Sequence, residues 1–229
     1  MPSRRGRGLP PEEVAAILRG LKNALDLQDA TGQRVGDAKY GVYAFYDYDG
    51  EPIYVGQSTE RLRTRIRRHL TNQRTDAVAM SVLDPFEVAD VEMWPFWGLQ
   101  GLPRKSDAVK RQLNSAEYVV FQRVLAESSF GAVLNEVPVK PAPLLELPPS
   151  IKARIVPEDV YQRRIHPDTR IARRAGTIAR LAQVISEREV QRGLRTTLLT
   201  QARRLERLAA TRLADLGGPP QPGEERTQD

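Results

Sequence analysis

The segment Gly41-Val42-Tyr43-Ala44-Phe45-Tyr46-Asp47-Tyr48 is rich in aromatic and β-branched residues, and the pair Asp49-Gly50 and the stretch Glu51 to Val55 follow it directly. Two β-prone segments joined through Asp-Gly predict an antiparallel hairpin. The pattern then changes period. From Glu60 to Asn72 the apolar positions Leu62, Ile66 and Leu70 recur every fourth residue, which predicts a helix packed against the hairpin. A third strand is expected around Phe86 to Trp94, then a Gly/Pro loop through Pro103 and a long helix from Ser106 to Glu127. These elements predict an α+β fold, a small three-stranded antiparallel sheet flanked by helices.

Outside this unit, Pro10-Pro11-Glu12-Glu13 opens an N-terminal helix with Val14, Ile17, Leu18, Leu21 and Leu25 on its apolar stripe. Pro138, Pro141, Pro143, Pro148 and Pro149 read as a stiff linker. Beyond it, 168–191 and 194–213 read as a basic helical extension. The expected division is therefore a basic arm and helix over 1–37 and a core with its Pro-rich linker over 38–150. A basic helical region over 151–216 and a disordered Gly/Pro-rich tail over 217–229 complete it.

The chain has no cysteine, which excludes disulfides and thiolate metal sites. It has no signal-like apolar run at its start and no apolar stretch near the ~20 residues needed to cross a bilayer, so a cytoplasmic location is expected. A formal charge of +6 fits a polyanionic partner, and 29 of the 35 basic residues are arginine. Their distribution says more than their number. Residues 57–74 hold six arginines against Glu60 alone, and 151–213 hold fifteen basic residues against six acids, whereas 75–103 contain five acids and no lysine or arginine. Such clustering suits the tracking of a phosphate backbone.

On the helix from Glu60, Arg61, Arg65 and His69 form a row beside the apolar one, so these cations sit at the rim of the buried face. On the long helix, Glu117 falls within the stripe of Leu113, Val120, Phe121 and Val124. A carboxylate there must either pair with an arginine or bind a cation, because burying it bare costs several kcal/mol. A hard oxygen ligand beside phosphate-binding arginines favours Mg2+.

Gly41-Val42-Tyr43 and Tyr54-Val55-Gly56, followed by Arg65 and His69 one helical turn apart and then by Glu117, resemble in order the signature of the GIY-YIG nuclease superfamily over roughly residues 38–137. The resemblance implies a Mg2+-dependent endonuclease, with Mn2+ as a substitute ion. Tyr43 would be the general base, its ionisation favoured by nearby cations. Tyr54 and His69 would position the water or relay its proton, Arg65 would neutralise charge on the phosphate, and Glu117 would hold the metal. The family asparagine falls most naturally on Asn135, with Asn114 and Asn72 as alternatives, and Arg61 competes with Arg65 for first contact with the phosphate. Arg61, Arg63, Arg68, Arg173 and Arg174 are candidates for contact with nucleic acid.

Within that superfamily, the absence of added modules resembles a type II restriction enzyme. This implies double-stranded DNA as substrate, a palindromic and possibly GC-rich site, a homodimer, and a cognate methyltransferase encoded nearby. The C-terminal helices would serve dimerisation, DNA contact or both. The alternatives are a structure-specific repair or recombination nuclease and a non-catalytic DNA-binding protein on the same fold.

Overall fold

A computed structural model describes residues 12–70, 85–135, 139–187 and 192–217. The expected basic arm at 3–8, Asn72, Pro138 and the tail from 218 lie outside the described residues.

Four antiparallel strands form the sheet: β1 (Gly41–Tyr46), β2 (Pro52–Ser58), β3 (Asp90–Pro95) and β4 (Ile151–Arg154), in the order β2-β1-β3-β4. Six α-helices accompany it among the described residues: α1 (Glu12–Leu25), α2 (Leu62–Leu70), α3 (Asp107–Glu127), α4 (Glu158–Arg164), α5 (Pro167–Glu187) and α6 (Arg192–Asp215). The α+β class is as expected, but the sheet has four strands rather than three. β4 lies just past the Pro-rich stretch and pairs Met93 with Ile151 through Asp90 with Arg154. The third strand also begins later than expected. Phe86 belongs to a short 3-10 turn ahead of it and is exposed, with the Arg164 guanidinium 4.6 Å over its ring.

Strand alternation sorts the core into two layers. Tyr43 and Phe45 face α1 and α2 with Leu21, Leu25, Leu62 and Ile66, while Val42, Ala44 and Tyr46 face α3 with Ala116, Val120 and Val124. Burying Leu62 and Ile66 completely contributes roughly 1.5–3 kcal/mol each, which fixes α2 against the sheet. The long helix starts where its cap predicts, the Ser106 hydroxyl accepting from the Val109 amide.

The hairpin loop is wider than a two-residue Asp-Gly turn. Its five residues, Asp47 to Glu51, close through Asp47 N–H to the Glu51 carbonyl at 2.9 Å, and the Asp47 carboxylate accepts from the amides of Asp49 and Glu51. The C-terminal helices grip this loop. Arg170 forms a fork on Asp49 at 2.5 and 2.6 Å, Arg174 donates to Asp47 at 2.7 Å, and Arg204 donates to the Pro52 carbonyl at 2.8 Å. All three arginines are buried. Part of the arginine excess thus serves packing rather than a partner: buried guanidinium groups match carboxylates and carbonyls that would otherwise be costly to bury.

Candidate functional site

Sheet register decides which side chains meet. Tyr43 lies opposite Gly56 and Phe45 opposite Tyr54, which places both tyrosines on the α2 side. The glycines permit this approach. A methyl group on Gly56 would lie 2.7 Å from Tyr54 Cε1, 2.9 Å from the Tyr43 hydroxyl and 3.0 Å from the Tyr54 hydroxyl, so the two phenols converge over a spot only glycine leaves open. On Gly41 a methyl group would come within 2.8 Å of Leu62 Cδ1 and 2.9 Å of the Trp94 carbonyl, so glycine lets α2 close onto the start of β1.

His69 completes the aromatic group from α2. Its Nδ1 is 3.1 Å from the Tyr43 hydroxyl, and its ring stands edge-on to Tyr54 with centroids 4.3 Å apart. The Arg65 cation, one turn earlier on α2, acts electrostatically on the Tyr43 phenol. Its Nε is buried without a hydrogen-bond acceptor among the described residues. Arg61, by contrast, is exposed just ahead of α2.

The electrostatic expectation for Tyr43 needs correcting. Burial pushes its phenol far above the ordinary range and the neighbouring Tyr54 adds to this, while the Arg65 cation pulls the other way and loses. Tyr43 therefore rests as a neutral phenol. The nearby cation moderates the cost of ionisation without removing it.

Glu117 projects from α3, on the sheet's other face, toward the end of β2. Gln57, at the end of β2, donates from Nε2 to Glu117 Oε2 at 3.0 Å and to Asn114 Oδ1 at 2.9 Å. Burial raises the Glu117 carboxyl above the usual carboxylate range, opposed by Gln57 and by the charge of Arg65. Among the described residues Glu117 forms no salt bridge, so of its two expected outcomes the arginine pair is not the one adopted. No group of three or more acidic, histidine or cysteine side chains suited to a metal is present there. A hard cation would take Glu117 as its carboxylate and the rest of its oxygens from water and substrate, the pattern that suits Mg2+.

The asparagine candidates separate clearly. Asn135 turns its amide onto the backbone of β2, accepting from Val55 N–H at 3.0 Å and donating to the Val55 carbonyl at 2.9 Å. It thereby mimics one rung of a strand along the sheet edge, beside the Tyr54-Val55-Gly56 segment. Asn114 stands one turn before Glu117 and shares Gln57 with it.

Several proposed contacts with nucleic acid are already engaged. Arg63 bridges Asp26 at 2.8 Å and Asp37 at 3.0 Å, fastening α2 to α1. Arg68 pairs with Glu60. Arg174 is removed from the candidate surface, being buried against Asp47, and Arg173 is half-buried near the Phe86 ring at 5.9 Å. Sequence reasoning missed Gln57. Its only signal was a polar residue near the end of an otherwise apolar strand, facing the same side as Val42 and Val55.

Residues 39–124 match the model of the GIY-YIG catalytic domain family. That span carries Tyr43, Tyr54, Arg65, His69 and Glu117 and stops short of Asn135, and it supports placing this part of the chain in the GIY-YIG nuclease superfamily. No curated protein and no solved structure matches the chain.

Proposed function

We propose, on the premise that residues 39–124 form a GIY-YIG catalytic domain, that the protein is an endonuclease hydrolysing phosphodiester bonds in double-stranded DNA. The observation that carries this reading is the meeting of Tyr43, Tyr54, His69 and Arg65, with Arg65 Nε buried and lacking an acceptor among the described residues. A buried donor of that kind is normally satisfied, and a phosphate oxygen satisfies it with a charge-assisted bond.

In the proposed reaction Arg65 holds the scissile phosphate and Tyr43 takes the proton of the attacking water. The phenol's own proton leaves beforehand through His69 Nδ1, at 3.1 Å, and passes on to solvent, so Tyr43 meets the water as a phenolate facing the Arg65 cation. Tyr54, edge-on to that imidazole, limits where the water can stand. Glu117 would hold Mg2+, which when bound supplies Lewis-acid stabilisation to the leaving oxygen. Gln57 orients the carboxylate.

The further reading is a type II restriction enzyme acting as a homodimer on a palindromic site, with a cognate methyltransferase encoded nearby. Exposed Leu199 and Leu213 on α6, with Leu216 just past its end, supply apolar area for a second copy. The test is incubation of purified protein with plasmid DNA and Mg2+, followed by mapping of the ends. Discrete bands from intact duplex are expected, reduced by about 100-fold or more in Glu117→Ala. Cleavage only at flaps or junctions would replace the restriction reading with a repair nuclease. Undiminished cleavage by the variant would overturn the assignment of Glu117.

A further inference from the structure

The loop between β3 and α3 runs across the end of the sheet where Gly41, Gln57 and Ser58 lie, and it is pinned there from three sides. Lys39 Nζ donates to the Leu102 carbonyl at 3.3 Å, the Tyr40 hydroxyl donates to the same carbonyl at 2.8 Å, and Arg104 Nε donates to Thr59 Oγ1 at 2.8 Å. Thr59 is two residues past Gln57, which holds Glu117. Under the loop, Tyr40, Leu99, Val109 and Leu113 form a small buried cluster of their own. Residues 101–105 are nonetheless all exposed.

This pairing of a fixed backbone with free charge is unlike what surrounds it. Arg63, Arg68, Arg170 and Arg174 are bound to carboxylates, whereas neither Arg104 nor Lys105 forms an ion pair among the described residues. The Thr59 bond fixes Arg104 through Nε and leaves the outer end of its guanidinium fork exposed. Arg61, just ahead of α2, is exposed as well.

We propose that the 101–105 loop is a second contact for duplex DNA, in which Arg104 and Lys105 hold backbone phosphates flanking the one bound at Arg65. The inference rests on the nuclease reading and extends it to residues that no periodicity marks. A pinned cation fits this role because phosphate contacts set the register of a duplex on its enzyme and gain from donors already held in place. Hydrolysis itself needs nothing from the loop, so its contribution falls on binding.

The test compares wild type with the double variant Arg104→Ala/Lys105→Ala. Affinity for a short labelled DNA duplex is measured without Mg2+ over a range of salt concentrations, and single-turnover cleavage at saturating DNA with Mg2+. Both side chains are exposed, so an unchanged Tm serves as the folding control. The expected result is affinity weakened roughly 10- to 100-fold, with the slope of log affinity against log salt shallower by about 1–2. The saturating cleavage rate should stay within about 3-fold of wild type, since the loop holds no reacting atom. Thr59→Ala, which frees the Arg104 fork without removing its charge, should weaken binding by only about 2- to 3-fold and leave the salt slope in place. If wild type cleaves duplex DNA and the double variant binds with unchanged affinity and slope, the loop is not a contact. A loss confined to the saturating rate overturns the proposal equally. If wild type neither binds nor cleaves duplex DNA, the nuclease reading fails and the loop proposal with it.

Discussion

As the proposed base, Tyr43 must give up a proton that its surroundings help it to keep. Burial holds the phenol above its ordinary value, and Arg65 offsets only part of this. The sign of the pH dependence follows: the reactive form is the ionised one, and its fraction rises about tenfold for each pH unit below the raised value. We therefore expect log kcat/KM, which reports groups of the free enzyme, to climb with a slope near one from about pH 6 to 9 without levelling off. Tyr43→Phe should lose roughly 100- to 10,000-fold in activity and with it the rising limb. A wild-type plateau near neutrality, or a limb that survives in the variant, would remove Tyr43 from the role of base. At this scale much was legible, because the periods of two and 3.6 residues suffice to set Tyr43 and Tyr54 on one face and Arg65 with His69 above them. Gln57 was not, and Asn135 was reached only through the family resemblance. Each acts through a hydrogen bond between positions 60 and 80 residues apart, which no local pattern encodes.

Among the elements, the β1–β2 loop depends most on distant partners. The Asp47 carboxylate binds two amides of its own loop and also Arg174, from 127 residues away, with 2% of its side chain exposed. Removing it leaves Arg174 with one fewer compensating charge in a buried setting, and that type of loss costs about 3–5 kcal/mol. Asp47→Ala should accordingly lower Tm by roughly 6–20 °C for a protein of this size, as followed by circular dichroism. A drop below about 2 °C would mean that water or Asp49 and Glu87 take over the arginine's charge, and that the clamp is not a main support. The sequence showed both strands and the turn between them but not this clamp, since acids in a loop and arginines on a helix look equally suited to solvent. β4 escaped notice for a related reason. Its four residues follow Pro148 and Pro149 and are too few to show alternation, and they become a strand only because β3 offers an edge.

For the whole molecule, the question is whether the matched segment stands without the helices that follow it. The structure ties them together in two ways. Val160, Leu181 and Leu194 share one apolar cluster with Tyr43, Phe45 and Leu62, and Arg170, Arg174 and Arg204 surround the acids of the hairpin loop. A chain ended after Val156 keeps every strand and every side chain proposed for catalysis, yet it exposes that cluster and strips Asp47, Asp49 and Glu51 of their cations. The losses together exceed about 5 kcal/mol, comparable to the entire stability of a typical domain. Such a chain should therefore show no cooperative thermal transition by circular dichroism and no cleavage of plasmid DNA, while the full chain shows the transition. If a chain ended after Val156 instead melts cooperatively within a few degrees of the full protein, the C-terminal helices are an appendage. The arginines buried in the hairpin clamp would then contribute little that a solvated loop does not supply by itself.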